Sequence, residues 1–267
     1  MKKTDKTQVP EKTGKVQKAG GNTKSRGTDG KVSVSLEKNE AWIKERCANC
    51  ADIMMHKMYL GREADVAALL VFGEVTVTNT LLEDSLIGKM MNELREVPSG
   101  ELAGVLDSNA LGVADTIAYE DRELALAALL AGNAVLFLDG YPKAVKIASK
   151  GYPAMVVQKA DTEKALRGSR ESFTESVKLN EALVRKRIRN TGLKVEEITL
   201  GKRSATVTAL VYMEDLIYPE ILERIRQEIG QWEIDGVFDT GMLEQLCQKH
   251  WLSPFPQFET TERPDRA

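Results

Sequence analysis

Two stretches of this 267-residue sequence, about 140 positions apart, carry matching residues in the same order. NEAWIKER at 39–46 resembles NEALVRKR at 180–187, LGRE at 60–63 resembles LGKR at 200–203, and LVF at 70–72 resembles LVY at 210–212. The offset is 141 for the first match and 140 for the other two, so one indel relates the copies. A shared order at near-constant offset is the mark of an internal duplication, which ties both halves to one local architecture.

Hydrophobic periodicity supplies that architecture. In the first copy a helix is expected over 37–50, with Asn39, Trp42, Ile43, Arg46, Cys47 and Cys50 on one face. Strands are expected at Ile53–Leu60 and Ala64–Phe72, joined through Gly61-Arg62, and a helix near Asn79–Leu94. The second strand has few polar residues, as a strand covered on both faces would. In the second copy a helix over 171–189 carries Phe173, Val177, Asn180, Val184 and Ile188 on one side and Glu171, Glu175, Lys178, Arg185 and Arg189 on the other. Strands follow at Leu193–Leu200 and Ala205–Tyr212, and a helix starts near Pro219, where a missing N–H costs nothing.

Between the copies a helix is expected over 120–131, with Glu120 and Glu123 in its first turn. VLFLDG and KAVKIAS then read as two strands around the Asp139-Gly140 turn. The expected fold is α/β (α+β): two αββα-type subdomains with mixed sheets. The boundaries expected are a disordered basic tail at 1–36, a first subdomain at 37–157, a second at 158–250, and a Pro/aromatic exit segment at 251–267.

Charge narrows the function. Residues 1–31 hold nine basic and three acidic residues, leaving 28 basic and 37 acidic in the remainder. A body at −9 repels phosphate backbones, so nucleic acid is excluded as a general partner. The tail has almost no large apolar residue and no secretory core; it reads as a solvated leader or a weak tether to an anionic membrane surface. Three unpaired cysteines fit a reducing compartment. No stretch reaches the roughly 18 apolar residues of a membrane span.

Three further stretches carry recognition: EKALRGSRESFTESVKLNEALVRKRIR at 163–189, LGKRSATVTALVYMEDLIYPEILERI at 200–225, and WEIDGVFDTGMLEQL with PFPQFETTERPDRA at 232–246 and 254–267. On these runs the chain resembles the spore germination A-subunit family (GerA-type), well over 120–267 and in element order over 37–100. The motif positions that carry the resemblance are Gly168, Glu171, Phe173, Glu175, Arg185, Pro254, Pro256, Arg263 and Pro264. It departs from the family at Ser169, where proline is usual, and at Lys159-Ala160, where an acidic-Pro pair is usual. The resemblance implies a subunit of a nutrient-responsive receptor in the spore inner membrane, with this part on the cytoplasmic face and the TERPD run just ahead of the membrane helices. It also implies two α/β subdomains reminiscent of substrate-binding proteins, other receptor subunits as partners in an oligomer, and a small-molecule nutrient as trigger.

Candidate sites are sparse. Arg167 and Arg170 precede a helix whose Ser172 and Glu175 have capping-box spacing; they either hold an anion or pair with local carboxylates. Asn180 and Asn39 interrupt apolar stripes, either as buried amides hydrogen-bonded to a neighbouring segment or as ligand contacts in a cleft. Cys47, Cys50, Cys247 and His250 offer zinc-type ligands at short spacings. Since Cys47 and Cys50 fall on the apolar face of a helix, no metal is expected, and no cofactor. No nucleophile elbow, P-loop or dinucleotide glycine pattern is present, so no enzymatic activity is expected. Two functions remain open: a sensing or transmitting module whose subdomains close on a ligand, or a scaffold that packs receptor subunits.

Overall fold

The computed structural model describes residues 30–74, 92–107, 116–148, 163, 167–247 and 258–267. Most of the helix expected at Asn79–Leu94 lies outside these residues, with 92–96 helical. Also outside them are most of the basic tail, the linker residues Lys159 and Ala160, His250, Pro254 and Pro256.

The first unit opens with α1 (Leu36–Arg46), β1 (Ile53–Leu60) and β2 (Val66–Gly73). A short helix α2 (Leu102–Asp107), strand β3 (Thr116–Tyr119), helix α3 (Arg122–Leu130) and strands β4 (Ala134–Leu138) and β5 (Ala144–Ile147) complete it. Asp121 caps α3 by accepting from the Glu123 N–H at 2.7 Å, which satisfies one of the first-turn donors. The five strands form one sheet in the order β1-β2-β4-β5-β3. Every ladder among the described residues is antiparallel, which corrects the expectation of mixed sheets. Each strand returns beside its predecessor, or beside β2 or β5, with reversed direction, so no parallel crossover is needed.

Alternation along β2 and β4 feeds two cores. Leu69, Val71, Val135 and Phe137 face α1 and α3. Ala68, Leu70, Leu136 and Leu138 face Leu94, Leu102 and Leu106. That two-sided burial explains the unbroken apolar character of both strands.

The second unit comprises α4 (Val177–Arg187), β6 (Leu193–Leu200), β7 (Thr206–Met213), α5 (Pro219–Gly230) and α6 (Thr240–Cys247). The β6–β7 ladder runs from Leu193↔Met213 to Leu200↔Thr206, and the β1–β2 ladder from Ile53↔Gly73 to Leu60↔Val66. An offset of 140 maps one register onto the other pair for pair. The turns match as well: Gly61 and Gly201 both take positive φ, 88° and 83°, which side-chain-bearing residues resist. The copies part company beyond the hairpins, since β2 also pairs with β4 whereas β7 pairs with β6 alone among the described residues.

Two boundaries shift. The folded chain starts before 37: Lys31 bridges Asp121, the Gly30 carbonyl accepts from Arg122 N–H at 2.8 Å, and Val32 is buried. The second-copy helix begins at Val177 rather than 171, capped by Ser176, which accepts from Leu179 N–H at 3.5 Å. The Ser172–Glu175 capping box is therefore not formed. Ser172 is buried instead and donates to the Glu262 carbonyl at 3.1 Å.

Candidate functional site

The most developed polar constellation lies where the two units meet. Asp52 stands just ahead of β1, and Arg185 occupies the last turn of α4. Arg185 Nε donates to Asp52 Oδ2 at 2.6 Å and Nη2 to Oδ1 at 2.9 Å, a bidentate pair. Two of the three remaining guanidinium hydrogens are used as well: Nη1 donates to the Asn190 carbonyl at 2.7 Å and Nη2 to the Leu193 carbonyl at 2.9 Å. Arg185 was expected on the solvated side of its helix, yet the residue is only 5% exposed. Its charge is held below the surface because an opposite charge and two carbonyls replace the lost water.

Backbone bonds run beside this pair. Ala51 N–H donates to the Val195 carbonyl at 3.0 Å, Val195 N–H donates to the Asn49 carbonyl at 2.9 Å, and Cys50 and Val195 form a parallel bridge. Lys194 Nζ reaches the Ala48 carbonyl at 2.9 Å, and Lys178 on α4 pairs with Glu74 at 2.5 Å and with Glu197. Asn49 takes φ of 57°, a conformation asparagine tolerates, and this turns the chain toward the second unit. The two units are thus joined by backbone hydrogen bonds and a buried ion pair, with the partly exposed Lys178, Glu74 and Glu197 beside them.

The cysteines border this seam. Cys47 and Cys50 are buried just past the end of α1, not within it. Burial pushes the Cys47 thiol up to about 12 and raises that of Cys50, which disfavours the thiolate that metal binding or redox chemistry needs. Cys50 Sγ lies 3.6 Å from the Leu193 carbonyl. Cys247 belongs to α6, and no cluster of three metal-ligating side chains occurs among the described residues.

Asn39 and Asn180 perform the same task in each copy. Asn39 accepts from Ser33 N–H at 2.9 Å and returns its amide to the Ser33 carbonyl at 2.7 Å. Asn180 accepts from Thr174 N–H at 2.7 Å and donates to the Thr174 carbonyl at 2.7 Å. Each amide thus staples the strand-like segment ahead of its helix, and both polar ends are spent on backbone.

Arg167 and Arg170 are exposed and make no ion pair with a described residue. With α4 starting at Val177, neither stands at a helix N-terminus, so no helix dipole reinforces an anion there. Glu171 is held instead by Lys186 and Arg187, each at 2.7 Å, and these cations keep its carboxyl below the usual range. Arg187 also donates to Ser169 at 2.9 Å, and Gly168 takes φ of 118°, so the run around RGSRE is a structural bend. Glu175 is exposed, Phe173 N–H donates to the Glu262 carbonyl at 2.7 Å, and Arg263 pairs with Asp265 at 2.6 Å while Pro264 is buried. The described part of the exit segment is therefore folded onto the second unit.

One residue escaped the sequence reading. Glu181 is 2% exposed and neither carboxylate oxygen has a hydrogen-bond partner among the described residues. Burial and the neighbouring Glu197 charge push it up to about 7. Its counterpart in the first copy, Glu40, pairs with Lys44 and Lys57 at 2.7 Å each and stays below the usual range. The signal was available in the sequence, because positions 44 and 57 correspond to Arg185 and Glu197, one of them reversed in charge. A cavity of 1140 Å³ lies within the second unit, lined by Val177, Asn180, Glu181, Val184, Ala209 and Val211 among others.

These features define a duplicated α/β domain whose two units are locked edge to edge, with polar groups spent on holding the frame. Residues 41–267 match the family model described as Bacillus/Clostridium GerA spore germination protein, and the chain belongs to that family. It is 27% identical over 234 residues to "Spore germination protein KA" of Bacillus subtilis, 88% of this chain and 43% of the relative. It is 29% identical over 237 residues to "Uncharacterized membrane protein YfkQ" of the same organism, 89% of this chain and 45% of the relative. The chain thus spans less than half the length of these relatives. The crystal structure of the N-terminal domain of the A subunit of the Bacillus megaterium spore germinant receptor GerK3 matches with a TM-score of 0.64 and 25% identity, over 90% of this chain and 88% of that one.

Proposed function

We propose that this chain is the membrane-proximal, cytoplasmic-side domain of a germinant-receptor A subunit and relays a nutrient signal as one rigid body. The family match and the match to an A-subunit N-terminal domain support the receptor role. The relay reading rests on the Arg185–Asp52 seam, because a buried bidentate pair flanked by backbone bonds transmits displacement instead of absorbing it. Its partners on this reading are other receptor subunits and its own membrane region, on the inner membrane of the spore. The small-molecule nutrient acts on the assembled receptor, with no enzymatic step in this domain.

The test is the double variant Arg185→Met with Asp52→Leu in the full-length receptor, which removes the ion pair without leaving a bare charge, with receptor abundance and nutrient-triggered germination measured in the same spores. Normal abundance with a delayed response supports the relay. Normal abundance with an unchanged response refutes it.

A second reading, a scaffold that packs neighbouring subunits, draws on the exposed Leu216, Tyr218 and Phe238, which are 74%, 70% and 81% accessible. In that case Phe238→Ser lowers receptor abundance before it changes the response.

A further inference from the structure

The first unit contains a helix and a strand with no equivalent among the described residues of the second. In the first, Ala125, Leu126 and Leu129 of α3 with Val135 and Phe137 of β4 close the core that α1 and β2 open. The opening half of that core consists of Leu36, Ile43, Leu69 and Val71, all buried. At the repeat offsets their counterparts are Val177, Val184, Ala209 and Val211. All four are only half-buried, and all four line the 1140 Å³ cavity. The edge of β7 that corresponds to the β4-paired edge of β2 has no strand beside it among the described residues. Its sequence, TVTALVYM, carries none of the charges or prolines that protect an open edge.

The chain also arrives at the right place to fill it. Val32 N–H donates to the Glu120 carbonyl at 2.7 Å, immediately before α3 begins. Phe173, the counterpart of Val32, donates to the Glu262 carbonyl at 2.7 Å. Glu262 therefore stands where Glu120 stands, and Arg263 where the α3 cap Asp121 stands. Beyond it the N–H groups of Arg266 and Ala267 both close on the Arg263 carbonyl, at 3.0 and 3.3 Å, the start of a helical turn with Pro264 in its first position.

We infer that the cavity over α4 and β7 is the seat of a helix and an antiparallel strand equivalent to α3 and β4, furnished by the stretch that follows position 267 in the full-length polypeptide. The relatives are more than twice as long as the stretch they share with this chain, which leaves ample length for such a segment. The α3–β4 template is a nine-residue helix and a five-residue strand, so the occupant is of that size, with an Ala/Leu face and an uncharged strand. The cavity is thereby part of the domain's own core, and the membrane helices begin after this segment rather than directly after the TERPD run. This inference is independent of the relay reading.

Hydrogen–deuterium exchange at residues 206–213 tests it, in the 267-residue chain and in the full-length polypeptide. Exchange about tenfold slower or more in the longer polypeptide is expected, as pairing of an open edge produces. Equal rates in both overturn the inference. So does concentration-dependent protection in the 267-residue chain, which assigns the edge to a second copy, or protection by free amino acids, which assigns the cavity to a small ligand. As a second measure, Ala209→Asp leaves the 267-residue chain folded yet sharply lowers abundance of the full-length polypeptide; tolerance in both also overturns the inference.

Discussion

Arg185 and Asp52, 133 positions apart in sequence, meet as a buried bidentate ion pair that joins the last turn of α4 to the start of β1. Each removes the other's desolvation cost, so neither can be changed alone without leaving an unpaired charge in the seam.

Asp52→Asn or Arg185→Ala should accordingly destabilise the chain by about 3–5 kcal/mol, whereas the double variant Arg185→Met with Asp52→Leu should recover most of that loss. Urea unfolding of the three variants checks both halves of the expectation. A single variant within about 1 kcal/mol of wild type contradicts the buried-pair assignment.

Burial separates the two asparagine staples. Asn39 is 0% exposed while Asn180 is half-buried, so Asn39→Ala should cost about 2 kcal/mol and Asn180→Ala clearly less. Thermal unfolding of the two variants under one condition gives the order directly.

Glu181 makes stability depend on pH in an unusual direction. Its folded pKa, about 7, lies above the ordinary value of 4.5, so the native state binds the extra proton between them. Its contribution is therefore favourable at low pH and is lost as pH rises through about 7. Glu197, Lys178, Asp52 and Glu74 surround it and set the size of the effect. Glu181→Gln should match wild type near pH 5 and exceed it at pH 8 by on the order of 2 kcal/mol. Denaturation midpoints at the two pH values decide it.

The N-terminal boundary is testable by truncation. Removing residues 1–28 should leave the melting temperature unchanged, whereas removing 1–33 takes away Val32 from the core and the Ser33 backbone that Asn39 holds. The second truncation should cost several kcal/mol.

Cys47 and Cys50 should stay unreactive toward a thiol reagent in the folded chain and react on unfolding, since burial keeps both protonated. Rapid labelling of either under native conditions contradicts the placement.

Much of the fold was legible because strand periodicity and the repeat support each other. The bounds expected for β1 and β6 coincide with those observed, and the 140-residue offset maps one hairpin ladder onto the other. The strand β3 was missed, since the four residues TIAY carry too little pattern to stand out, and its place is fixed by pairing with β5. Arg185 was assigned to solvent because periodicity counts any arginine as polar. Its burial depends on Asp52, a partner no local pattern can supply. The start of α4 was misplaced for a similar reason: Ser172 looks like a cap, but the returning Glu262 carbonyl takes its hydroxyl.

Glu40 and Glu181 occupy equivalent positions in the two copies but meet opposite surroundings. In the first copy the helix glutamate has its own cations, since Glu40 pairs with Lys44 and Lys57. In the second copy Arg185 is spent on Asp52 and position 197 is acidic, so Glu181 has no hydrogen-bond partner among the described residues. A chimera built from two first copies would be neutral within each helix but would place a lysine opposite Asp52, unable to reproduce the two-pronged grip, and the halves would drift apart. The two copies share a backbone pattern but are not exchangeable parts, because the contact that joins them needs an arginine on one side only.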